Sequence, residues 1–264
     1  MRILAIGDPH GDLAAIRKIP IKDCDAIVLT GDLGSASLAR KRAFERIDRE
    51  RRNLPEKTYS PKEKKRAFME PYTSTVRLVR YLARHAPVYT VFGNIECSNQ
   101  ETKDIAEAIG LPLPFIYDAL RKIKGVTIIN NRIVKMGGIR IGGVEYFLDA
   151  SWVQEFRPKD YAEHLFFAKK ESKKVERLLQ HYGKIDLLVA HQPPYKVLDK
   201  VTAKFAPAHW RGKHAGSKVL LQYIKKTQPT FVVCGHIHEG EGRMKVGKTQ
   251  VFNLGVAGYA YLTF

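Results

Sequence analysis

Arg2-Ile3-Leu4-Ala5-Ile6-Gly7-Asp8-Pro9-His10 opens the chain with a short apolar run that ends at residues able to bind a metal ion. Four later runs have the same form: residues 25–30 before Gly31-Asp32, 87–92 before Gly93-Asn94, 185–190 before His191, and 230–234 before Gly235-His236-Ile237-His238. Short runs rich in Val and Ile are typical of strands buried in a layered α/β sheet, and such sheets bind ligands at the carboxyl ends of their strands. The pattern therefore predicts a two-metal site made of two Asp, one Asn and four His at one sheet edge.

Length and composition indicate a globular protein. With 264 residues, of which 44% are hydrophobic and 27% charged, the chain can bury a large core, and we expect one domain over residues 1–264. The composition excludes wholesale disorder, and no apolar stretch approaches the roughly 20 residues of a membrane span. The N-terminus leads directly into a strand without a signal segment. Three cysteines without paired spacing indicate reduced thiols, so we expect a cytoplasmic protein.

The charge balance is strongly basic. The chain has 45 Lys and Arg against 27 Asp and Glu, a formal net charge of +18. Such a surface attracts polyanions, which makes nucleic acid, nucleotides and anionic lipid the favoured partners. The ion-pair-rich surface of a heat-adapted protein would explain many of these charges, but not their imbalance.

A basic insertion, at about residues 35–85, separates the second and third predicted strands. Residues 40–66 hold twelve Lys or Arg against five acids, and the first helix has too few apolar residues for a core-facing stripe. Ser60-Pro61-Lys62-Glu63 predicts the start of a second helix that runs to about Met69, with a third helix after Pro71. Two interpretations stay open: a solvated helical pair, or a basic wall that binds nucleic acid beside the metal edge, because the insertion follows Asp32.

The rest of the chain predicts further elements of one α/β domain. Residues 102–124 hold a short helix, and residues 162–181 form a longer one. Strands are expected at 126–130, 132–136 and 139–145, joined by turns at Asn130-Asn131 and Gly137-Gly138. A hairpin at 242–253 and a last strand at 259–264 complete the chain.

The ordered series of motifs resembles the calcineurin-like metallophosphoesterase superfamily. Asp8-x-His10, Gly31-Asp32, Gly93-Asn94, His191 and Gly235-His236-x-His238 match all seven ligand positions of that superfamily, over most of the chain. His191-Gln192-Pro193-Pro194 and His214-x-Gly216-Ser217 also resemble segments of prokaryotic phosphoesterases. The resemblance implies a four-layer αββα sandwich of two mixed β-sheets flanked by helices, with the basic insertion outside the match.

The same resemblance implies a dinuclear metal centre. One ion would be held by Asp8, His10, Asp32 and His238, and the other by Asp32, Asn94, His191 and His236, with Asp32 bridging the two. Mixed nitrogen and oxygen ligands without thiolate suit divalent or trivalent Mn, Fe, Zn, Ni or Co, and we favour Mn. A hydroxide that bridges the two ions would attack phosphorus in line.

The third motif departs from the pattern of the most active members. It reads Gly93-Asn94-Ile95-Glu96, whereas those members usually have Gly-Asn-His-Asp/Glu, in which His helps to protonate the leaving group. Ile95 cannot carry a proton, and general acid catalysis is typically worth about 10²–10⁴-fold in rate. His214 is a candidate replacement acid. His209 is another, although its neighbour Trp210 equally suggests a packing role or a contact with substrate.

The predicted function is metal-dependent phosphoester hydrolysis, with diesters of the nucleotide or nucleic-acid type favoured by the basic charge. Two alternatives stay open: a phosphomonoesterase or protein phosphatase, and a nucleic-acid-binding or scaffold protein with a weakly active metal site. Seven intact ligand positions argue against a decayed site, while the missing acid argues for one. The sequence leaves the oligomeric state open.

Overall fold

Two mixed β-sheets pack face to face, and helices cover both outer surfaces, which gives the expected four-layer αββα sandwich. The computed structural model describes residues 1–204 and 206–264. Its strands are β1 (Arg2–Ile6), β2 (Ala26–Leu29), β3 (Val88–Thr90), β4 (Val126–Ile128), β5 (Ile133–Met136), β6 (Ile139–Val144), β7 (Leu187–Ala190), β8 (Phe231–Cys234), β9 (Gly242–Val246), β10 (Thr249–Asn253) and β11 (Tyr259–Thr263). Its α-helices are α1 (Leu13–Arg17), α2 (Ser37–Arg51), α3 (Pro61–Leu82), α4 (Asn99–Ile109), α5 (Ile116–Arg121), α6 (Ala150–Phe156), α7 (Tyr161–Tyr182) and α8 (Lys218–Thr227).

The five apolar runs that precede the predicted ligands form the parallel centres of the two sheets. The first sheet has the order β11-β1-β2-β3-β4, in which only β11 is antiparallel to its neighbour. The second has the order β5-β6-β7-β8-β10-β9, in which only the outer strands β5 and β9 are antiparallel. Because β1, β2 and β3 run in parallel, as do β7 and β8, the polar residues that follow them collect at the carboxyl ends of the sheets.

Side chains alternate between two cores along each central strand. In β1, Ile3 and Ala5 face the core between the sheets, while Leu4 and Ile6 face the core shared with α1 and α3. In the second sheet, β7 and β8 alternate in the same way between the inter-sheet core and the core shared with α7 and α8. This period of two, with both faces buried, explains why the strands read as continuous apolar runs.

The insertion differs from the prediction in one respect. Instead of a helix to about Met69 and another after Pro71, α3 runs without a break from Pro61 to Leu82 and contains Pro71. A proline inside a helix removes one backbone hydrogen bond. The hydroxyls of Thr73 and Ser74 donate to the carbonyls of Met69 (2.7 Å) and Glu70 (2.6 Å), one turn back along the helix, and the residues after Pro71 pack Leu78, Val79 and Leu82 on the core of the first sheet.

The start of α3 and the solvated character of α2 agree with the prediction. The Ser60 side chain accepts a hydrogen bond from Glu63 N, and the Glu63 side chain accepts one from Ser60 N, which makes the expected capping box. No residue of α2 is buried. The helix at 161–182, the hairpin of β9 and β10, and the last strand also confirm their predictions.

The predicted turn at Asn130-Asn131 is present, but it does not join two strands of one sheet. β4 belongs to the first sheet and β5 to the second, so these residues carry the chain from one sheet to the other and close no hairpin. The Asn130 side chain accepts a hydrogen bond from Phe92 N (2.9 Å) and donates one to Glu145 (2.6 Å), which fixes the crossing. The turn at Gly137-Gly138 does join an antiparallel pair, β5 and β6. Among the helices that the structure describes, none combines the length and the apolarity of a membrane span.

Candidate metal centre

The seven predicted ligands come together at the carboxyl ends of five strands. Loops after β1, β2 and β3 supply Asp8, His10, Asp32 and Asn94, and loops after β7 and β8 supply His191, His236 and His238. Asp8, Asp32 and His191 are buried at the base of the cluster. The other four side chains are partly or fully exposed, so the cluster opens to solvent on one side.

Asp8, His10 and His238 form a first group that is suited to a metal ion. One potential ligand atom from each residue lies within 4.8 Å of the others. The Nε2 atoms of His10 and His238 are 3.2 Å apart, and Nε2 of His238 is 3.3 Å from Oδ2 of Asp8. Two imidazole nitrogens and a carboxylate oxygen facing one point are a donor set typical of divalent transition metals.

Asp8, Asp32 and His191 form the second such group. His191 Nε2 lies 3.6 Å from Asp32 Oδ1 and 3.0 Å from Asn94 Oδ1, and the same Asn94 oxygen lies 2.9 Å from Nδ1 of His236. Asp8 belongs to both groups, whereas Asp32 belongs to this one. The bridging role of Asp32 therefore stays a prediction.

The backbone at the cluster adopts conformations that non-glycine residues rarely take. His10, Asp32 and His236 have positive φ values of 43°, 47° and 64°. Such conformations cost about 1–3 kcal/mol each and cluster at functional sites. At Gly93 and Gly235 an added Cβ would lie 2.2 Å from Asp32 Oδ1 and 2.1 Å from Asp8 Oδ1. These two motif positions therefore need glycine because the loops approach the ligands too closely for any side chain.

Thr30 orients two of the buried ligands from the end of β2. Its hydroxyl donates to Asp8 Oδ1 (2.9 Å), and its carbonyl oxygen lies 2.9 Å from His191 Nδ1. Since a carbonyl only accepts, Nδ1 of His191 carries a proton towards Thr30, and Nε2 faces Asp32 and Asn94. A hydrogen bond on the remote nitrogen is the usual way in which a ligand histidine is held in the required tautomer.

Glu96 supports the cluster from beneath, a role that sequence reasoning missed. Its buried carboxylate accepts hydrogen bonds from four backbone N–H groups, those of Asp32, Leu33, Gly34 and Gly93. The loops after β2 and β3 are thus joined through one side chain. Burial and then the charge of Asp32 raise the pKa of Glu96 to about 7. The available signal was an acid two residues after Asn94, at the Asp/Glu position of the third motif.

Tyr146 lines the cluster and was also missed. Its ring centroid lies 5.3 Å from that of His236 and 5.9 Å from that of His191. Burial, followed by the charge of Asp32, raises the pKa of its hydroxyl. The backbone N–H of Tyr146 donates a hydrogen bond to the carbonyl of Phe92 (2.9 Å), and this bond ties Tyr146 to the third motif. No sequence signal singles it out, because it belongs to none of the five runs.

Opposed electrostatic effects set the protonation of the ligands. Burial alone would raise the pKa of Asp8, but the charge of His191 and hydrogen bonds from His238 and His236 N hold it below its usual value. Burial and the charge of His191 lower the pKa of His236 to about 3. Metal binding requires neutral imidazole and ionised carboxylate, and the shifts of Asp8 and His236 favour these forms. Burial lowers the pKa of His191, but the charges of Asp32 and Asp8 outweigh it and raise that pKa, so a metal ion would displace a proton there.

His10 marks where the basic insertion meets the cluster. Its pKa is lowered, first by burial and then by the positive charges of His238 and Arg40, against the raising effect of Asp32 and Asp8. Arg40, in the first turn of α2, is therefore close enough for its charge to act on a predicted ligand.

The donor set of carboxylate, amide and imidazole groups, with no thiolate among the seven, fits a pair of transition-metal ions.

The two candidate acids have different surroundings. Nδ1 of His214 lies 2.7 Å from Oδ1 of the buried Asp199, and its ring contacts Tyr195 edge-on at 5.6 Å. His209 lies in a short 3₁₀ turn and contacts the ring of Trp210 at 6.1 Å. In the described part of the chain, neither histidine hydrogen-bonds to any of the seven ligands. The structure thus favours His214 as the more firmly oriented of the two.

The chain belongs to the calcineurin-like phosphoesterase family, because the sequence model of that family matches residues 1–240. Members of this family are dimetal phosphoesterases, so the chain is a metallophosphoesterase of the hydrolase class, and its Asp and His clusters suit the dinuclear divalent centre of the family. No curated protein sequence gives a match.

Two solved structures illustrate the fold. Phosphopantetheinyl hydrolase from Mycobacterium tuberculosis superimposes with a TM-score of 0.54 at 14% identity, covering 97% of this chain and 89% of that one. A dimetal phosphatase from Danio rerio gives a TM-score of 0.50 at 13% identity, covering 99% and 91%. At these identities the similarity establishes the fold, the two-sheet α/β sandwich, for this chain.

Proposed function

We propose that this chain is a phosphodiesterase that acts on nucleotide-type or nucleic-acid substrates through two metal ions. The observation that carries the proposal is the convergence of seven ligand-type side chains from five strand ends at one open edge. Asp8, His10, Asp32 and His238 would hold one ion, and Asp32, Asn94, His191 and His236 the other, with Asp32 between them. We favour Mn²⁺, because oxygen and imidazole ligands without thiolate suit it.

Two bound ions would supply Lewis-acid stabilisation of the phosphoryl oxygens and lower the pKa of a bound water. The chain's own residues have supporting tasks. Thr30 holds Asp8 and His191 in place, and Glu96 fixes the loops that carry Asp32 and Asn94. Tyr146 packs against His191 and His236 and restricts their rings. Such preorganisation keeps the ligands in position without reorganisation during the reaction.

Charge supports a diester of the nucleotide type as substrate. The net charge of +18 favours polyanions over small neutral esters. Nucleic-acid contact through the basic insertion, residues 40–66, is part of the proposal, since this stretch follows the loop of Asp32 in the chain. We also propose that residues 1–264 form one domain with the insertion at about 35–85. A cytoplasmic location is supported by the three unpaired cysteines, which suit a reducing compartment.

His214 is proposed as the proton donor that replaces the missing third-motif histidine. Its bond to Asp199 fixes the ring and leaves Nε2 free to face a substrate. Asn253 donates to the carbonyls of Leu198 (2.9 Å) and Ile237 (2.8 Å), so it joins the loop that ends in Asp199 to the loop that carries His236 and His238. This connection supports a location of the His214–Asp199 pair near the metal edge.

The test is hydrolysis of a bis-aryl phosphate and an aryl monophosphate by the metal-free protein, titrated separately with Mn²⁺, Ni²⁺, Zn²⁺ and Mg²⁺. The expected result is metal-dependent cleavage of the diester in preference to the monoester, abolished in Asp32→Asn. Preferential cleavage of the monoester would support the phosphatase alternative. Metal binding without cleavage of either ester would leave the binding-protein alternative.

A further inference from the structure

A second basic surface lies outside the basic stretch 40–66, in a groove between α1 and the C-terminal half of α3. The groove is a cleft of about 510 Å³, and its basic lining consists of Arg17, Arg77, Arg80 and Arg84. Arg77, Arg80 and Arg84 follow one another at helical spacing and are exposed, as is Arg17 on the facing helix. Four guanidinium groups therefore line one groove.

Among the residues that the structure describes, no acidic side chain lines this groove. Within residues 1–204 and 206–264, none of the four arginines pairs with a carboxylate, and the sequence has no Asp or Glu between Glu70 and Glu96. The cleft beside α2 differs, because it also contains acids: Lys57 pairs with Glu45 at 3.0 Å there. The positive charge is thus partly compensated in the cleft beside α2 and uncompensated in the groove.

Two tyrosines give the groove flat apolar surfaces between its charges. Tyr72 and Tyr81 line it while their other sides pack on the core beneath α1 and α3. Arg17 lies over the Tyr81 ring, 5.6 Å from its centroid. Alternation of cationic and aromatic side chains is typical of surfaces that bind single-stranded nucleic acid, where aromatic rings stack on bases and cations follow the backbone.

The groove leads from the metal edge along the protein. Tyr72 also lines the small cleft that contains Ile95 of the third motif, and the stretch of α3 from Tyr72 to Leu82 is about 15 Å long at 1.5 Å per residue. At its far end the groove shares Arg80 and Arg84 with a second cleft, which reaches Lys124. A chain bound along this path would have one end directed towards the predicted ligands.

We propose that the groove binds the phosphodiester backbone of an extended single-stranded nucleic acid. The arginines would contact successive phosphates, and Tyr72 and Tyr81 would stack on bases. Delivery of that strand to the metal centre rests on the proposed function, but binding in the groove does not. The two can therefore fail separately, because hydrolysis of a bis-aryl phosphate tests the metal centre without the groove.

The test is the salt dependence of binding, measured by fluorescence anisotropy with labelled single-stranded DNA and RNA 12-mers between 50 and 200 mM NaCl. Each phosphate contact contributes about 0.7 to the slope of log affinity against log salt for single strands. Arg77→Gln, Arg80→Gln and Arg84→Gln together should lower the slope by about 2. The wild type should then lose about 18-fold more affinity than the triple variant over this range.

Two further triple variants make the result specific. Replacing the same arginines by Lys keeps the charge and should keep the slope. Replacing the exposed Lys169, Lys173 and Arg177 of α7 by Gln removes the same net charge elsewhere and should also keep it. The proposal is overturned if the groove variant retains the wild-type slope, or if the α7 variant loses as much. The proposal is also overturned if the groove variant keeps its binding to single-stranded nucleic acid and loses only its binding to phosphatidylserine vesicles.

Discussion

Replacement of Glu96 by Gln should destabilise the metal edge by an amount that follows from its hydrogen bonds. Oε1 accepts from Leu33 N (2.7 Å) and Gly34 N (3.4 Å), and Oε2 accepts from Asp32 N (3.0 Å) and Gly93 N (2.9 Å). Gln keeps only one of the two oxygens, so two buried N–H groups would face an amide group that cannot accept. Each unsatisfied group costs about 1–3 kcal/mol, which gives a loss of about 2–6 kcal/mol in the free energy of unfolding.

The assay is urea unfolding followed by circular dichroism, with EDTA present so that metal affinity does not enter the measured stability. Glu107→Gln serves as the control, because this exposed residue on α4 makes the same change of charge without a hydrogen bond to lose. We expect the control to lie within about 0.5 kcal/mol of the wild type. A Glu96→Gln loss no larger than that of the control would refute the supporting role of Glu96.

Three further changes test the site and the insertion. Gly93→Ala places a Cβ 2.2 Å from Asp32 Oδ1 and 2.7 Å from His191 Cε1, so displacement of these ligands should lower the hydrolysis rate about 10²-fold, measured with saturating metal. Ile95→His should raise the rate of hydrolysis of alkyl diesters by up to about 10²–10⁴-fold and that of aryl diesters far less. If the wild type already cleaves both kinds of diester at similar rates, His214 supplies the proton, and His214→Ala should lower the rate on alkyl diesters more than the rate on aryl diesters. Pro71→Ala should stabilise the protein by up to about 3 kcal/mol in urea unfolding, because it restores a helical N–H; a lower stability in the variant would contradict this reasoning.

The strands and the ligand series were predictable because their signals are local. Each central strand is buried on both faces and is followed by a residue whose side chain can bind a metal ion. The apolar run and the ligand residue are therefore neighbours in the sequence and can be recognised together. The capping box at Ser60 is equally local and is present as expected. The departure at Ile95 was also visible from the motif alone.

Features that depend on distant contacts escaped prediction. The helix α3 continues through Pro71 because its C-terminal half buries Leu78, Val79 and Leu82 against the first sheet, a tertiary contact that the local sequence does not reveal. The crossing at Asn130 depends on the backbone of Phe92, which belongs to another strand end. Glu96 acquires its role only when the loops after β2 and β3 meet, and Tyr146 only when its ring packs beside His191 and His236.

Anomalous X-ray scattering from crystals grown with Mn²⁺ tests the central claim most directly. We predict two ordered ions about 3.5–4 Å apart, both in contact with Asp32, one bound by His10 and His238 and the other by Asn94, His191 and His236. A single ion, or two ions of which neither contacts Asp32, would contradict the dinuclear centre on which the proposed hydrolysis depends.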